Sequence, residues 1–293
     1  MKKLTILFFP VILVACAGGS TSTSTTSSSA ATTPFTSWSS TTVGTPVSFS
    51  SGPSSTLAVD GTSVQGASDA AATLTLNSSN NFSAINASNT AGSVSFSTAN
   101  GDTLQSGFNG NATVALNKSQ TTVGAFANPS AYGFEYQTFG AWGAYGNATT
   151  PAYAVSVGNP SPASAIPAVG SLTFTGGSAG YYVDPSKFGY VTNAVMVAVV
   201  TFDNRTVAFN TTNTTIAGGP GASLLSAPAL NMTGNLSYAA GTNAMTGTAT
   251  TTNGMSGNMN GKFYGPGLNE IGGTYAVTGS GIGSMVGGFG GKR

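Results

Sequence analysis

The stretch from Gly261 to Tyr275, Gly-Lys-Phe-Tyr-Gly-Pro-Gly-Leu-Asn-Glu-Ile-Gly-Gly-Thr-Tyr, limits the possible folds more than any other part of the chain. Its large apolar residues are Phe263, Ile271 and Tyr275, with Val277 just beyond, all set among Gly and Thr. Gly265-Pro266-Gly267 interrupts them. Proline fixes φ and removes a ladder donor, and the flanking glycines reach φ values that other residues avoid. A strand, a turn and a second strand are therefore predicted. Gly272-Gly273 inside the second strand predicts a bulge, a sharp bend or the close approach of another backbone. Closed barrels need such bends at their corners.

The same alternation of apolar and polar residues recurs upstream. Phe134, Tyr136, Thr138, Gly140 and Trp142 share one face of a first strand, and Tyr153, Val155 and Val157 line a second. Leu172 and Phe174 alternate with Ser171, Thr173 and Thr175 in a third. Asn193 to Phe202 is almost continuous Ala, Val and Met, which predicts a strand covered on both faces. Asp203-Asn204 and Asn253-Gly254 predict tight hairpins. Leu236, Tyr238, Met245, Met255, Met259 and Phe263 continue the pattern. About eight to ten short antiparallel strands joined in this way predict a barrel or a sandwich. No segment has a sustained helical period.

Residues 35–130 are β-rich but weakly marked. Leu74 and Leu76 alternate with threonines, and Val94 and Phe96 with serines. Asn100-Gly101 predicts a type I′ turn, whose two central residues both need φ > 0, into a return strand from Asp102 to Phe108. Large apolar residues are sparse, so a small, thin-cored β domain is expected. Asn128-Pro129 marks the expected boundary, which places the main domain at 131–293.

The N-terminus has the pattern of a bacterial lipoprotein signal over residues 1–15. Lys2-Lys3 precedes a short apolar run, Leu4 to Val14, too short for a membrane-crossing helix. Leu13-Val14-Ala15-Cys16 fits a lipoprotein cleavage box, so Cys16, the single cysteine of the chain, is the expected lipidation site. Residues 16–34 read as a Ser/Thr-rich tether. Without apolar period or charge, such a segment cannot offset its ordering entropy, and as a coil it spans roughly 20–25 Å. An acyl anchor and strands whose second face is Thr, Ser, Ala and Asn favour a soluble barrel held at the membrane over one spanning it.

Composition narrows the chemistry. The 293 residues include 8 Lys+Arg, 7 Asp+Glu and no His. Charged residues are 5% of the chain, against about 25% in an ordinary domain. No basic patch suggests nucleic acid. Gly176-Gly177-Ser178-Ala179-Gly180 matches a hydrolase elbow in letters only, since the nucleophile has no His base. The acids Asp60, Asp69, Asp102, Glu135, Asp184, Asp203 and Glu270 are scattered singly, so neither paired-carboxylate catalysis nor a hard-metal site is expected. Glu270 is expected to meet Lys262 across the hairpin or to hold a backbone amide. Haem could be ligated by Tyr or Met, but Met245, Met255 and Met259 fall at strand spacing, where core packing explains them more simply. Enzymatic activity and a cofactor are not expected. Tyr145, Tyr153, Tyr181 and Tyr182 fall at expected loops or strand ends and are the candidate ligand-binding residues, as exposed anchors or, equally, as hairpin plugs.

Three segments carry a family resemblance. Gly261-Lys262-Phe263-Tyr264-Gly265-Pro266 with Asn269 to Thr274 and the ending Gly287-Gly288-Phe289-Gly290-Gly291-Lys292-Arg293 resembles the end of the barrel domain of transferrin-binding protein B. Tyr136 to Trp142 is similar to that family's opening barrel strand, and Val155 to Ser161 to the segment after its second strand. The resemblance implies an all-β chain: a C-terminal antiparallel soluble barrel of about eight strands, preceded by a small handle-like domain. It further implies a lipid-anchored outer-membrane protein, exposed at the cell surface, that binds an iron-carrier protein or haem and passes it to a membrane transporter. A structural or adhesin-type surface lipoprotein is the alternative. In the family the handle-plus-barrel unit is repeated, and this chain has room for one.

Overall fold

The computed structural model describes residues 35–293, and the signal, Cys16 and tether expected from the sequence lie outside the described residues. These residues form an all-β unit of two nine-stranded sheets. The first sheet takes β1 (Pro46–Leu57), β2 (Ser63–Leu76), β3 (Phe82–Asn89), β4 (Gly92–Ser97), β5 (Thr103–Gly107), β6 (Ala112–Leu116), β7 (Thr122–Ala127), β8 (Gln137–Ala144) and β9 (Ala152–Gly158). Their order is β4-β3-β2-β1-β9-β8-β7-β6-β5, so consecutive strands at the two edges, β4 and β5, come close without forming a ladder. The sheet is thus nearly closed. The turn between them explains the gap. Thr98–Asn100 form a turn of 3-10 helix and only Gly101 takes positive φ, 84°. The expected type I′ hairpin, with two positive φ values, is not made.

The second sheet comprises β10 (Ser171–Val183), β11 (Gly189–Thr201), β12 (Thr206–Ala217), the two-residue β13 (Leu225–Ser226), β14 (Met232–Tyr238), β15 (Met245–Thr251), β16 (Ser256–Tyr264), β17 (Glu270–Gly279) and β18 (Gly283–Lys292). The ring β11-β10-β18-β17-β16-β15-β14-β12 closes through the β11–β12 ladder, giving an eight-stranded antiparallel barrel with β13 attached to β12. Gly265–Leu268 makes the expected turn between β16 and β17. Asn253-Gly254 lies in the turn between β15 and β16, but only Gly254 takes positive φ, 94°, and the turn is longer than two residues, closed by the Thr251 amide on the Met255 carbonyl at 2.9 Å. The Asp203-Asn204 hairpin is longer than two residues. Phe202 to Arg205 form its turn, and Arg205 takes the left-handed position at φ 54°.

Two expected strands lie elsewhere. β8 and β9, predicted to open the barrel, are central in the first sheet, where β8 ladders with β7 and β9 with β1; the barrel's first strand is β10. They also bring aromatic mass to a core expected to be thin. Trp38 lies 5.2 Å from Phe49, Phe126 stacks on Trp142 at 6.3 Å, and Trp142 on Tyr153 at 5.3 Å. A second core fills the barrel with Phe174, Met196, Phe209, Met259, Phe263 and Phe289, among others. Met245 and Met255 are also buried there, as side-chain packing predicts. The barrel's outer rows on β12, β14 and β15 are Thr, Asn, Ser and Ala. Apolar inside and polar outside is the reverse of a membrane-spanning barrel. β11 departs from its expectation: Met196, Ala198 and Val200 face the core, but Val195, Val197 and Val199 are exposed, so only one of its faces is covered.

The glycines of the C-terminal motif explain how sheet and barrel meet. Phe289 points into the barrel, and its neighbours Gly288 and Gly290 therefore point out. A Cβ at Gly288 would come within 2.7 Å of the Phe139 Cβ and 2.9 Å of the Val155 carbonyl oxygen, and one at Gly290 within 2.7 Å of the Phe139 ring. Gly272 lies under Gln137 in the same way, and Gln137 Nε2 donates to the Ile271 carbonyl at 2.7 Å. Gly272-Gly273 causes no register shift, so of the three readings of this pair the close approach holds: side chains and backbone of β8 and β9 are seated on a strip without side chains.

Candidate functional site

The barrel has two unlike ends. At one end Asp184 to Phe188 turn between β10 and β11, beside the β17–β18 turn and the Val59–Gly61 turn of the first sheet. The segment after β8 joins them. Asn147 bridges Phe188, the Ala148 amide donates to the Lys187 carbonyl at 2.8 Å, and the Gly189 amide to the Gly146 carbonyl at 2.7 Å. The Gly-rich loop after β12 passes Tyr145, whose ring a Cβ at Gly219 would approach to 3.0 Å. Three loops from three parts of the chain thus make one surface, positioned by rigid strands.

That surface carries the large apolar groups that strands cannot hide. Tyr145 is 38% exposed, Phe188 37%, Leu224 38% and Leu225 56%. Phe188 packs on Tyr190 at 5.0 Å, and Tyr190 stacks with Tyr182 at 6.4 Å, forming an aromatic ridge. Aromatic and leucine side chains without cover at a loop end are the features of a binding surface, where a few large anchors carry most of the energy. Next to it lies a polar cleft of about 490 Å³ lined by Asp60, Asp184 and Lys187. Its acids are committed to their own turns: Asp60 accepts from the Thr62 amide and hydroxyl, and Asp184 from the Phe188 amide and the Ser186 hydroxyl. Those Thr62 bonds hold the Asp60 carboxyl below its ordinary range. Among the described residues no three His, Cys, Asp or Glu converge as metal ligands.

The four candidate tyrosines divide. Tyr145 is exposed at the loop end. Tyr182 is half-buried there, its hydroxyl donating to the Ile282 carbonyl at 3.2 Å. Tyr153 is half-buried against Trp142. Tyr181 is fully buried between barrel and first sheet, beneath Gly143, and donates to the Ala144 carbonyl at 2.6 Å; burial pushes its phenol well up. It is a packing residue, because β10 alternates and Tyr181 takes the face that β8 covers. Phe188, Leu224 and Leu225 are also exposed at this end. Leu224-Leu225 is an adjacent apolar pair in a Gly/Pro/Ser loop, a signal that periodicity does not register.

The remaining titratable candidates are structural. Glu270 is fully buried, and its carboxylate accepts from the backbone amides of Glu135 and Tyr136, so it holds amides rather than Lys262. Burial pushes its pKa up to about 7 against those hydrogen bonds. Lys262 donates instead to the Ser51 carbonyl at 2.9 Å and the Ser68 hydroxyl at 2.7 Å, tying β16 to the first sheet, and burial lowers its pKa. Ser178 lies within the continuous strand β10, 3.0 Å from the Tyr275 hydroxyl, with no elbow.

Residues 166–293 match the family model for the C-lobe and N-lobe beta barrels of Tf-binding protein B. Among solved structures, the chain is similar to a mutant of transferrin-binding protein B from Haemophilus parasuis, at 14% identity and a TM-score of 0.47, over 82% of this chain and 45% of that one. It is also similar to the isotype 1 protein from serogroup B Neisseria meningitidis, at 13% identity and a TM-score of 0.42, over 83% and 43%. A protein described as a surface lipoprotein is similar at 12% identity and a TM-score of 0.41, over 83% and 98%. The chain thus spans about half the length of the transferrin-binding proteins it matches. No curated protein matches it.

Proposed function

With residues 166–293 forming a β-barrel domain of the transferrin-binding-protein-B type, we propose that the protein is a surface lipoprotein, anchored through Cys16, that captures a host iron-carrier protein. The observation that carries the proposal is the loop end, where Tyr145, Phe188, Leu224 and Leu225 are uncovered together. A protein ligand fits this surface better than haem does. The barrel interior is filled by side chains, no His is present, and the buried methionines are spent on packing. Phe35 packs against Tyr136, near the Gly265 turn and so at the other end of the barrel. An anchor attached before Phe35 leaves the loop end free to meet a partner and then a membrane transporter.

Binding of residues 35–293, which form a compact unit, to immobilised transferrin, haemoglobin and haem tests this. Affinity for an iron-carrier protein, weakened at least about tenfold by the triple change Tyr145→Ser, Phe188→Ser, Leu225→Ser with the melt unchanged, supports the proposal. If no iron source binds at micromolar concentration, the adhesin reading replaces it.

A further inference from the structure

The end of the barrel opposite the loop surface is covered by residues 160–170. Pro160 bridges Tyr264, the Ser161 amide donates to the Phe263 carbonyl at 2.9 Å, and the Phe202 amide to the Gly170 carbonyl at 2.9 Å. Ala165 and Ile166 pack onto the barrel core. Pro162, Pro167, Ala168 and Val169 are left outside. Val169 is 69% exposed, the most uncovered large apolar side chain among the described residues. Beside this cover, the β14–β15 turn exposes Ala239 and Ala240. Neither 160–170 nor 239–244 contains a charged residue.

Two observations identify what this surface meets. The first is where the chain enters. Phe35 packs edge-on against Tyr136 at 5.9 Å, and the side chain of Asn159, the residue before the cover, donates to the Thr36 carbonyl. The chain before Phe35 is therefore attached at the rim of this same end. On the tether reading, residues 16–34 reach roughly 20–25 Å as a coil, which keeps a membrane anchor close to this end. The second is charge. Exposed Arg205, Lys292 and Arg293 stand at this end, against Asp203 and the half-buried Glu135. Each of these two acids holds a backbone amide, Asp203 that of Gly170 at 2.9 Å and Glu135 that of Ser39 at 3.1 Å. An uncharged apolar centre with cations around it fits phosphate-bearing lipid headgroups.

We propose that residues 162–169, with the β14–β15 turn, are a membrane-contact surface, by which the barrel rests on the lipid that anchors the chain. The proposal rests on the reading of Cys16 as an acylated anchor. One valine with a few alanines and prolines buries little apolar area, so this surface binds lipid weakly by itself. The tether makes the contact intramolecular, and a weak contact then suffices. The consequence is orientation: with this end on the lipid, Tyr145 and Phe188 at the loop end face away from it.

The test couples the chain from Cys16 onward, through its single thiol, to a maleimide lipid in vesicles of phosphatidylcholine and phosphatidylglycerol. Val169→Trp supplies a reporter, and the native Trp38 and Trp142 are buried and give a constant background. With lipids brominated high on the acyl chain, the added emission should fall by about half or more, because interfacial groups sit about 5–10 Å into the headgroup boundary. Tyr145→Trp, the same side chain at the loop end, should keep its emission. Ala168→Glu with Ala240→Glu, both at exposed positions, should remove the quenching of Val169→Trp with the melt unchanged. Absent quenching at Val169→Trp, equal quenching at Tyr145→Trp, or quenching that survives the two glutamates overturns the proposal. Chemical coupling keeps this result separate from the anchor reading, which fails on its own if Cys16 is not acylated in cells.

Discussion

Glu270→Gln is the change whose effect the structure defines most closely. The Glu270 carboxyl is fully buried at the start of β17, where it holds the Glu135 and Tyr136 amides, with Lys292 opposite it across the ladder and Glu135 nearby. Burial raises its pKa from the ordinary 4.5 to about 7. The folded state therefore binds this proton more tightly than the unfolded chain. The group's contribution is fully present below pH 4.5 and declines as pH rises toward 7, then stays level. Roughly 2.5 pH units at about 1.36 kcal/mol each give a loss on the order of 3 kcal/mol across that window. Glutamine mimics the protonated acid and still accepts the two amides, so the variant lacks the decline. Urea unfolding of both proteins between pH 4 and 8 measures it. The wild type should lose about 3 kcal/mol relative to the variant over this range, with the difference removing the contributions of all other groups. Parallel profiles would refute the assignment of Glu270 as a carboxyl kept neutral by burial.

Other perturbations test packing and anchoring. Tyr181→Ala empties a fully buried site between sheet and barrel and should cost about 3–5 kcal/mol in denaturant unfolding, whereas Tyr145→Ala should change stability by under about 0.5 kcal/mol. Gly288→Val places a side chain against Phe139 and the Val155 backbone; a cost of about 1–3 kcal/mol is expected, and an unchanged melt contradicts the seating of β8 on that strip. Cys16→Ser should abolish labelling by palmitate analogues in cells, and retained labelling removes the lipoprotein reading.

Much of the barrel is legible in the sequence because its strands obey a period of two around an apolar core. The β16–β17 turn, the presence of a turn at Asn253-Gly254 and the inward Phe174 and Phe263 follow from local chemistry. What sequence could not assign is partnership. β8 alternates no differently from a barrel strand, and only the ladder with β7 shows which sheet it joins. Asn100-Gly101 has the residues of a tight hairpin, yet its strands become the two edges of the first sheet, since nonlocal pairing decides register. The loop end is legible in the sequence only in part. The segment after β8 and the β10–β11 turn meet through Asn147 and Phe188, but a tyrosine's neighbourhood in sequence cannot tell an exposed residue such as Tyr145 from a core residue such as Tyr181. One residue of strand parity separates Tyr181 from Tyr182, and the face each takes depends on where β8 lies.

Under the proposed function, the loop end of the barrel receives an iron-carrier protein. Hydrogen exchange of residues 35–293, free and with a molar excess of iron-loaded transferrin or haemoglobin, tests it most directly. Slowed exchange confined to residues 144–150, 184–190 and 218–226 is the predicted result. Protection confined to the edge strands β4 and β5, or no protection by either carrier, would contradict it.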